Sequence, residues 1–270
     1  MARKNLRITA FKALKFILCG GVMAGSAQIA SAQNNTLDNG GTVNIEQVGP
    51  ENLAIVSSNG RNTASITQTG SGNTATIISD GRGNGELSGE IDQDGDNNTT
   101  MGTIEGDDNQ YIVEQRSSGA SNKTNFSQLG SQNEIDIIQN AAGLTDGLAN
   151  SAEVLQTGIG NYAALNQTAL IGGVGFYSNI ATVTQDGDDN LATSTQSGDN
   201  NRSEQVQVGD KNVSNILQTG DDNTAIHRQF GDSLTLPDYL EGTQIEQNGG
   251  ATITVEQYDA YNMPFGPPGR

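Results

Sequence analysis

The sequence predicts an all-β β-solenoid, a stack of strand-turn-strand rungs of about 22 residues each. Three observations carry that prediction. First, glutamines recur every 11 residues at Gln185, Gln196, Gln207, Gln218 and Gln229, with glycines in step at Gly187, Gly198, Gly209, Gly220 and Gly231 and asparagines at Asn179, Asn190, Asn201, Asn212 and Asn223. A period that short is one strand and one turn, because helical repeats and propeller blades run to tens of residues. Second, the marked residues within a unit fall two apart, as in Asn212, Ser214, Ile216, Gln218 and Gly220. Successive strand side chains point to opposite faces, so the marked set shares one face, the inward one. Third, 33% apolar residues and no tryptophan are too lean for an ordinary globular core, whereas stacked identical units let side-chain amides bond along the stack.

The elements follow in chain order. Arg3, Lys4, Arg7, Lys12 and Lys15, an apolar run from Phe16 to Met23, and Ala30-Ser31-Ala32 make the pattern of a secretory signal peptide, so residues 1–32 are expected to be removed. The apolar run is too short to span a bilayer, and no membrane span is expected after cleavage. Residues 33–41 are a polar segment with no strand pattern. From Thr42 to Gln257 the repeat can be followed with irregularities: Asn62, Ala64, Ile66, Gln68, Gly70 is one unit, Asn73, Ala75, Ile77, Ser79, Gly81 the next, and Ser58 and Ser79 stand where glutamine belongs. Turns such as Gly187-Asp188-Asp189 combine a residue that accepts positive φ with one that bonds its own backbone. Residues 140–149, 168–178 and 232–243 interrupt the count and are expected to be loops. The region has room for about ten rungs, a stack on the order of 45 Å tall at the strand spacing. Residues 258–270 are a short tail containing proline and glycine.

Taking the leader away leaves 8 lysines and arginines against 31 acids, a net charge of −23 in place of −18, and removes Cys19, the only cysteine. Disulfides are therefore excluded, and nucleic acid is not expected as a partner, since phosphates would be repelled. No catalytic residue is assigned: His227 is the single histidine, in an inward position between Ala225 and Gln229 with no second base or nucleophile near it, and Lys123 and Lys211 are the only lysines left. No cofactor is expected. Asp94 to Glu105 spaces oxygens like a calcium loop, but Thr99 stands where that loop needs glycine, and the stretch from Asp186 lacks the closing glutamate at Ser197. No metal ligand set is assigned. The acidic turns, Asp188-Asp189 and Asp221-Asp222 among them, are open to two readings: loose calcium binding, or charge that keeps the chain soluble before assembly.

The residues expected to matter are structural. Gln68, Gln185, Gln196, Gln207, Gln218 and Gln229 with Asn62, Asn73, Asn190, Asn201, Asn212 and Asn223 form the expected ladder, and Gly70, Gly187, Gly198, Gly209, Gly220 and Gly231 the turns. The string Asn-x-Ala-x-Ile-x-Gln-x-Gly-x-x-Asn from Asn62 to Asn73, with its in-phase relatives after Asn179, resembles the curlin repeat of curli subunits. The resemblance implies an amyloid-forming cross-β subunit of a Gram-negative bacterium. Such a subunit is exported through the outer-membrane curli secretion channel and polymerises on itself, from a nucleator subunit, into extracellular fibres of the pilus kind for adhesion and biofilm matrix. Whether this chain would be a major or a minor subunit is open. The residues alone also allow a capped, monomeric extracellular β-solenoid, an adhesin or a calcium-dependent surface protein.

Overall fold

The computed structural model describes residues 32–38, 42–81, 87–143, 148–171, 178–235 and 245–259. Among them there is no helix, and consecutive strands alternate between two parallel sheets. One sheet holds ten strands: β1 (Ala32–Asp38), β3 (Leu53–Asn59), β5 (Thr74–Asp80), β7 (Thr99–Glu105), β9 (Ser121–Ser131), β11 (Leu148–Ile159), β13 (Asn179–Asp186), β15 (Arg202–Val208), β17 (Thr224–Phe230) and β19 (Thr252–Tyr258). The other holds nine: β2 (Thr42–Val48), β4 (Asn62–Thr69), β6 (Leu87–Asp94), β8 (Gln110–Ser118), β10 (Glu134–Gly143), β12 (Tyr162–Ile171), β14 (Leu191–Ser197), β16 (Val213–Thr219) and β18 (Ile245–Asn248). Each strand pairs in parallel with the strand two before it, so the fold is the expected solenoid, with nine two-strand rungs and one strand over.

The alternation of the sequence becomes the alternation of burial. In β13 the buried residues are Asn179, Ala181, Val183 and Gln185, while Ile180, Thr182 and Thr184 face outward. The chain turns because glycine and the residue two after it both take positive φ: Gly187 at 130° with Asp189 at 55°, Gly209 at 110° with Lys211 at 58°. Side chains hold that second position at some cost. Stacked turns offset part of it by bonding to one another, as Gly209 N donates to Asp186 O at 2.9 Å and Lys211 N to Asp188 O at 2.9 Å.

Two expectations are corrected. Residues 33–38 of the segment read as lacking a strand pattern, with Ala32 before them, form β1, paired in register from Ala32↔Leu53 to Asp38↔Asn59. The edge of β3 offers unpaired N–H and C=O groups that an extended segment can satisfy through its backbone alone. Two of the three expected loops begin as strand: β10 and β12 continue pairing from Asn140↔Thr168 to Gly143↔Ile171, and Ala120, Ala141, Ala149 and Ala169 pack into a small core of their own beside the stack. Small residues allow the strands to run on there. Residues 144–147, 172–177, 236–244 and 260–270, which include the rest of those loops and most of the tail, lie outside the described residues, as does the leader up to residue 31. Within the span from Thr42 to Gln257, the irregular units beginning at Leu87, Asn98 and Asn109 occupy ordinary strands, as the repeat with interruptions predicts.

The core changes character along the stack. An apolar cluster extends from Ala54 to Ala192. Its middle is filled by Tyr111 and Phe126, ring centroids 5.0 Å apart, each lying over a glycine of the neighbouring strand. A Cβ on Gly89 would overlap the Tyr111 ring, and one on Gly102 the Phe126 ring. Burial pushes the Tyr111 phenol far above its ordinary pKa. A second apolar cluster, Ile216, Ala225 and Ile245, closes the far end. Between the two lies a polar belt of Ser194, Ser203, Gln205, Ser214 and His227, all buried.

Candidate functional site, the amide columns and the ends of the stack

Each 11-residue step crosses to the other sheet, so ladder partners are two units apart and the expected single ladder resolves into separate columns. In the nine-strand sheet Gln47, Gln68, Gln93, Gln115, Gln139, Gln167, Gln196, Gln218 and Gln247 form one unbroken column. Every Nε2 donates to the Oε1 of the next glutamine, at 2.6–2.9 Å. The second amide proton crosses the core: Gln196 donates to Ile180 O at 3.0 Å and Gln218 to Arg202 O at 2.8 Å. One side chain thus joins two rungs and two sheets. In the ten-strand sheet the column runs from Gln128 through Gln156, Gln185, Gln207 and Gln229 to Gln257, at 2.9–3.1 Å. Towards the N-terminal end Ile104, Ser79 and Ser58 occupy its positions, and Asn62 Nδ2 donates to the Ser58 and Ser79 hydroxyls at 2.6 and 3.1 Å.

The asparagines complement this. In the ten-strand sheet Asn52, Asn73, Asn98, Asn122, Asn150, Asn179, Asn201 and Asn223 are continuous, each Nδ2 donating to the preceding Oδ1 at 2.9–3.2 Å. In the nine-strand sheet Asn190 donates to Asn161 and Asn161 to Asn133, both at 3.0 Å, and Asn212 joins through its backbone N–H at 3.0 Å. Leu87 separates Asn62 from that series. Glutamine amides therefore point towards the C-terminal end and asparagine amides towards the N-terminal end. Chains of hydrogen bonds polarise one another, so each column carries a dipole, and the opposed directions offset them. Gly70, Gly187, Gly198, Gly209, Gly220 and Gly231 all stand at turns with positive φ.

Sequence reasoning missed Gln47, Gln93, Gln115 and Gln247, because their units lack the leading Asn-x-Ala. The available signal was a β-branched residue two places before each: Ile45, Ile91, Val113 and Ile245. The acidic turns have a structural task. Asp188 Oδ1 accepts from Ile159 N at 2.8 Å, Asp210 from Asp188 N at 2.8 Å and Asp232 from Asp210 N at 2.9 Å. No three His, Cys, Asp or Glu side chains converge on a metal position among the described residues. Likewise Asn98, inside the stretch with calcium-loop spacing, belongs to the asparagine column. His227 sits between Ser214 Oγ at its Nδ1 and Gln257 Oε1 at its Nε2, both 2.8 Å, and burial lowers its pKa against the raising effect of Gln257.

Compared with known families, residues 61–85 and 178–204 match the curlin-associated repeat. Two stretches of the chain are therefore similar to the curlin-associated repeat. The second match covers β13, β14 and the start of β15, where the 11-residue period is strictest, and the first covers β4 and β5, so curlin repeats recur at both ends of the long apolar cluster. No curated protein matches the chain.

The two ends of the stack differ in what they offer. At the N-terminal end β2 is half-exposed on its inward face, and Gln47 Oε1 is buried without a partner. That atom is the open acceptor of the nine-strand column. At the C-terminal end the column stops at Gln247, whose Nε2 donates to Thr224 O and Ala251 O, both 2.9 Å. Beside it the edge strand β19 leaves Ile253 and Val255 half-covered. Its outer face carries an ion-pair row: Arg228 bridges Glu204 at 2.6 Å and Glu256 at 3.1 Å, and Arg202 meets Glu204 at 2.9 Å. Hydrogen bonds from Arg228 and Arg202 hold the Glu204 carboxyl below its ordinary pKa.

Proposed function

We propose that this protein is a secreted, non-enzymatic structural subunit that stacks end on end into curli-like extracellular amyloid fibres for adhesion and biofilm matrix. The observation that carries the reading is the unbroken glutamine column, which runs from Gln47, whose Oε1 has no partner, to Gln247, whose Nε2 would exchange one of its bonds to Thr224 O and Ala251 O for the next chain's glutamine. A second copy placed on the C-terminal end sets β18 beside its β2, Ile245 opposite Ile45 and Gln247 opposite Gln47, and the column passes between chains. Each bond of that kind contributes about 1 kcal/mol net, and an edge strand left unpaired carries a whole row of such groups. The resemblance to curli subunits implies the expected partners: the chain itself, a nucleator subunit and the outer-membrane curli secretion channel. The leader pattern in residues 1–32 fits export, and the acidic turns fit a chain that must stay apart from its copies until it is outside.

Purified residues 33–270 at micromolar concentration test the reading. Growth with a lag that seeds abolish, together with a meridional fibre reflection near about 4.7 Å, is the expected result. A chain that stays monomeric with stable β signal would overturn it in favour of a capped monomeric solenoid, and calcium binding by the acidic turns would then be the next titration.

A further inference from the structure

The two sheets end unevenly. At the C-terminal end β19 extends the ten-strand sheet with no strand beside it in the other sheet among the described residues. At the N-terminal end β1 and β2 form a complete rung. If a second copy stacks on the C-terminal end with β1 in place, β19 meets β1 of that copy while β18 meets β2. The ten-strand sheet then holds one strand more at the junction than its neighbour, and β19 faces no partner across the core. Without β1 the ends fit. β19 meets β3 of the second copy and β18 meets its β2, so β19 of one chain and β2 of the next complete one rung. Eighteen strands, β2 to β19, make nine whole rungs, and nineteen do not.

The register supports the same pairing. Thr252 lies where Thr224 lies one rung earlier, a position that β3 fills with Leu53, so β19 against β3 places Ile253 opposite Ala54, Val255 opposite Val56 and Gln257 opposite Ser58. These are buried positions in β3 and half-buried ones in β19, and apolar meets apolar at two of them.

We infer that β1 is a displaceable edge strand that occupies the pairing edge of β3 and holds each subunit out of the fibre until a second copy's β19 takes its place. This rests on the stacking reading above. The competition is between a strand tethered by the three residues 39–41 and a strand on another molecule. A short tether gives an effective concentration on the order of mM, about a thousandfold above a micromolar second copy. Assembly is then slow in dilute solution and accelerates where chains accumulate, as at a cell surface. Removing or pinning the tethered strand changes the rate without touching the repeats.

Two variants of the mature chain, residues 33–270, test it. Thr36→Cys with Ser57→Cys joins residues that are register partners, and Cα atoms on adjacent strands lie within disulfide reach. Cys19 is absent from this chain. Oxidised, the variant should fail to elongate parent seeds and should cap them when added in small amounts. Reduced, it should elongate like the parent. Asn34→Pro with Asn35→Pro removes ladder donors from β1 on both sides of the strand, and its lag should shorten by about tenfold or more, within the thousandfold that the tether supplies. If the oxidised variant grows at the parent rate and the proline variant keeps the parent lag, the edge-strand role is overturned while stacking stands. If neither the parent nor the reduced variant forms fibres, stacking itself fails and the edge-strand role with it.

Discussion

The rungs from β3 to β9 and those from β13 to β17 stand in the same two sheets on opposite terms. The later rungs obey the 11-residue rule in every unit, yet their core is the polar belt of Ser194, Ser203, Gln205, Ser214 and His227. Within it the Ser194 and Ser203 hydroxyls and Gln205 Oε1 are buried without partners. The earlier rungs break the rule repeatedly, with Ser58, Ser79 and Ile104 in glutamine positions and Leu87 in an asparagine position, yet their core is apolar and close-fitting, with Tyr111 over Gly89 and Phe126 over Gly102. Regular repetition and good packing are thus separate sources of stability in this chain. Where side-chain amides bond in both columns, the interior tolerates polar residues. Where one column is missing, aromatic and branched residues fill the space.

That contrast can be broken at several points. The largest effect is expected in the earlier rungs: Phe126→Ala removes the ring that fills the space over Gly102 and should cost about 3–5 kcal/mol, read by chemical denaturation under non-assembling conditions. In the later rungs the comparable loss comes from the column. Gln196→Leu keeps the volume, but it strands the Gln167 donor and the Gln218 acceptor and should cost about 1–3 kcal/mol for each buried group left unpaired. It should also slow fibre growth, and Gln196→Leu with Gln218→Leu should slow it further; growth of the double variant at the parent rate would make the column incidental to assembly.

Filling the polar belt should act in the other direction. Gln205 and His227 lie in one register row between Val183 and Val255. Gln205→Val and His227→Val, with Ser214→Ala to remove the hydroxyl both of them bond, should therefore raise stability by about 1–2 kcal/mol, because the unsatisfied Gln205 Oε1 disappears together with the polar groups around it. A fall in stability would mean that the belt is held by bonds better than its geometry indicates.

The smallest effect is the pH response. His227 has a folded-state pKa below its ordinary value, so the folded form binds its proton less readily than the unfolded chain. The penalty is absent above about pH 6.5 and grows as pH falls below it, until the folded pKa is reached. Glu204 acts in the same sense at lower pH: its folded pKa is depressed, and the stability it contributes above the ordinary carboxylate range is lost as pH falls through the folded value. Asp92 and Asp136 oppose them, since burial raises both and acid relieves that cost. Between pH 7 and 5.5 the parent should lose stability and His227→Val should not, by paired denaturation curves.

The two-sheet stack, the inward set of each unit and the turn glycines can be read from the sequence because they repeat, and repetition exposes the register of every residue at once. Gln196 and Gln218 announce themselves by spacing. Gln93 and Gln115 do not, because Leu87 and the glycine-rich stretch before it break the count. The fit of Tyr111 over Gly89 is invisible for a different reason. It is a complementarity between unlike residues on neighbouring rungs, and no period reports it. β1 carries no pattern because its place comes from the open edge of β3 and not from its own residues. The separation into columns follows once each unit is seen to cross between sheets, which spacing alone does not reveal.

On the proposed stacking, copies join through β18 and β2 and the nine-strand column continues between chains. Continuing the register of that sheet places Asn248 of one chain opposite Val48 of the next, since both lie in the row that contains Thr69, Asp94 and Thr219. Fibres grown from an equal mixture of Val48→Cys and Asn248→Cys chains, then oxidised, should yield disulfide-linked dimers that contain one chain of each kind. Fibres that show the cross-β reflection but yield no such mixed dimer would contradict the account.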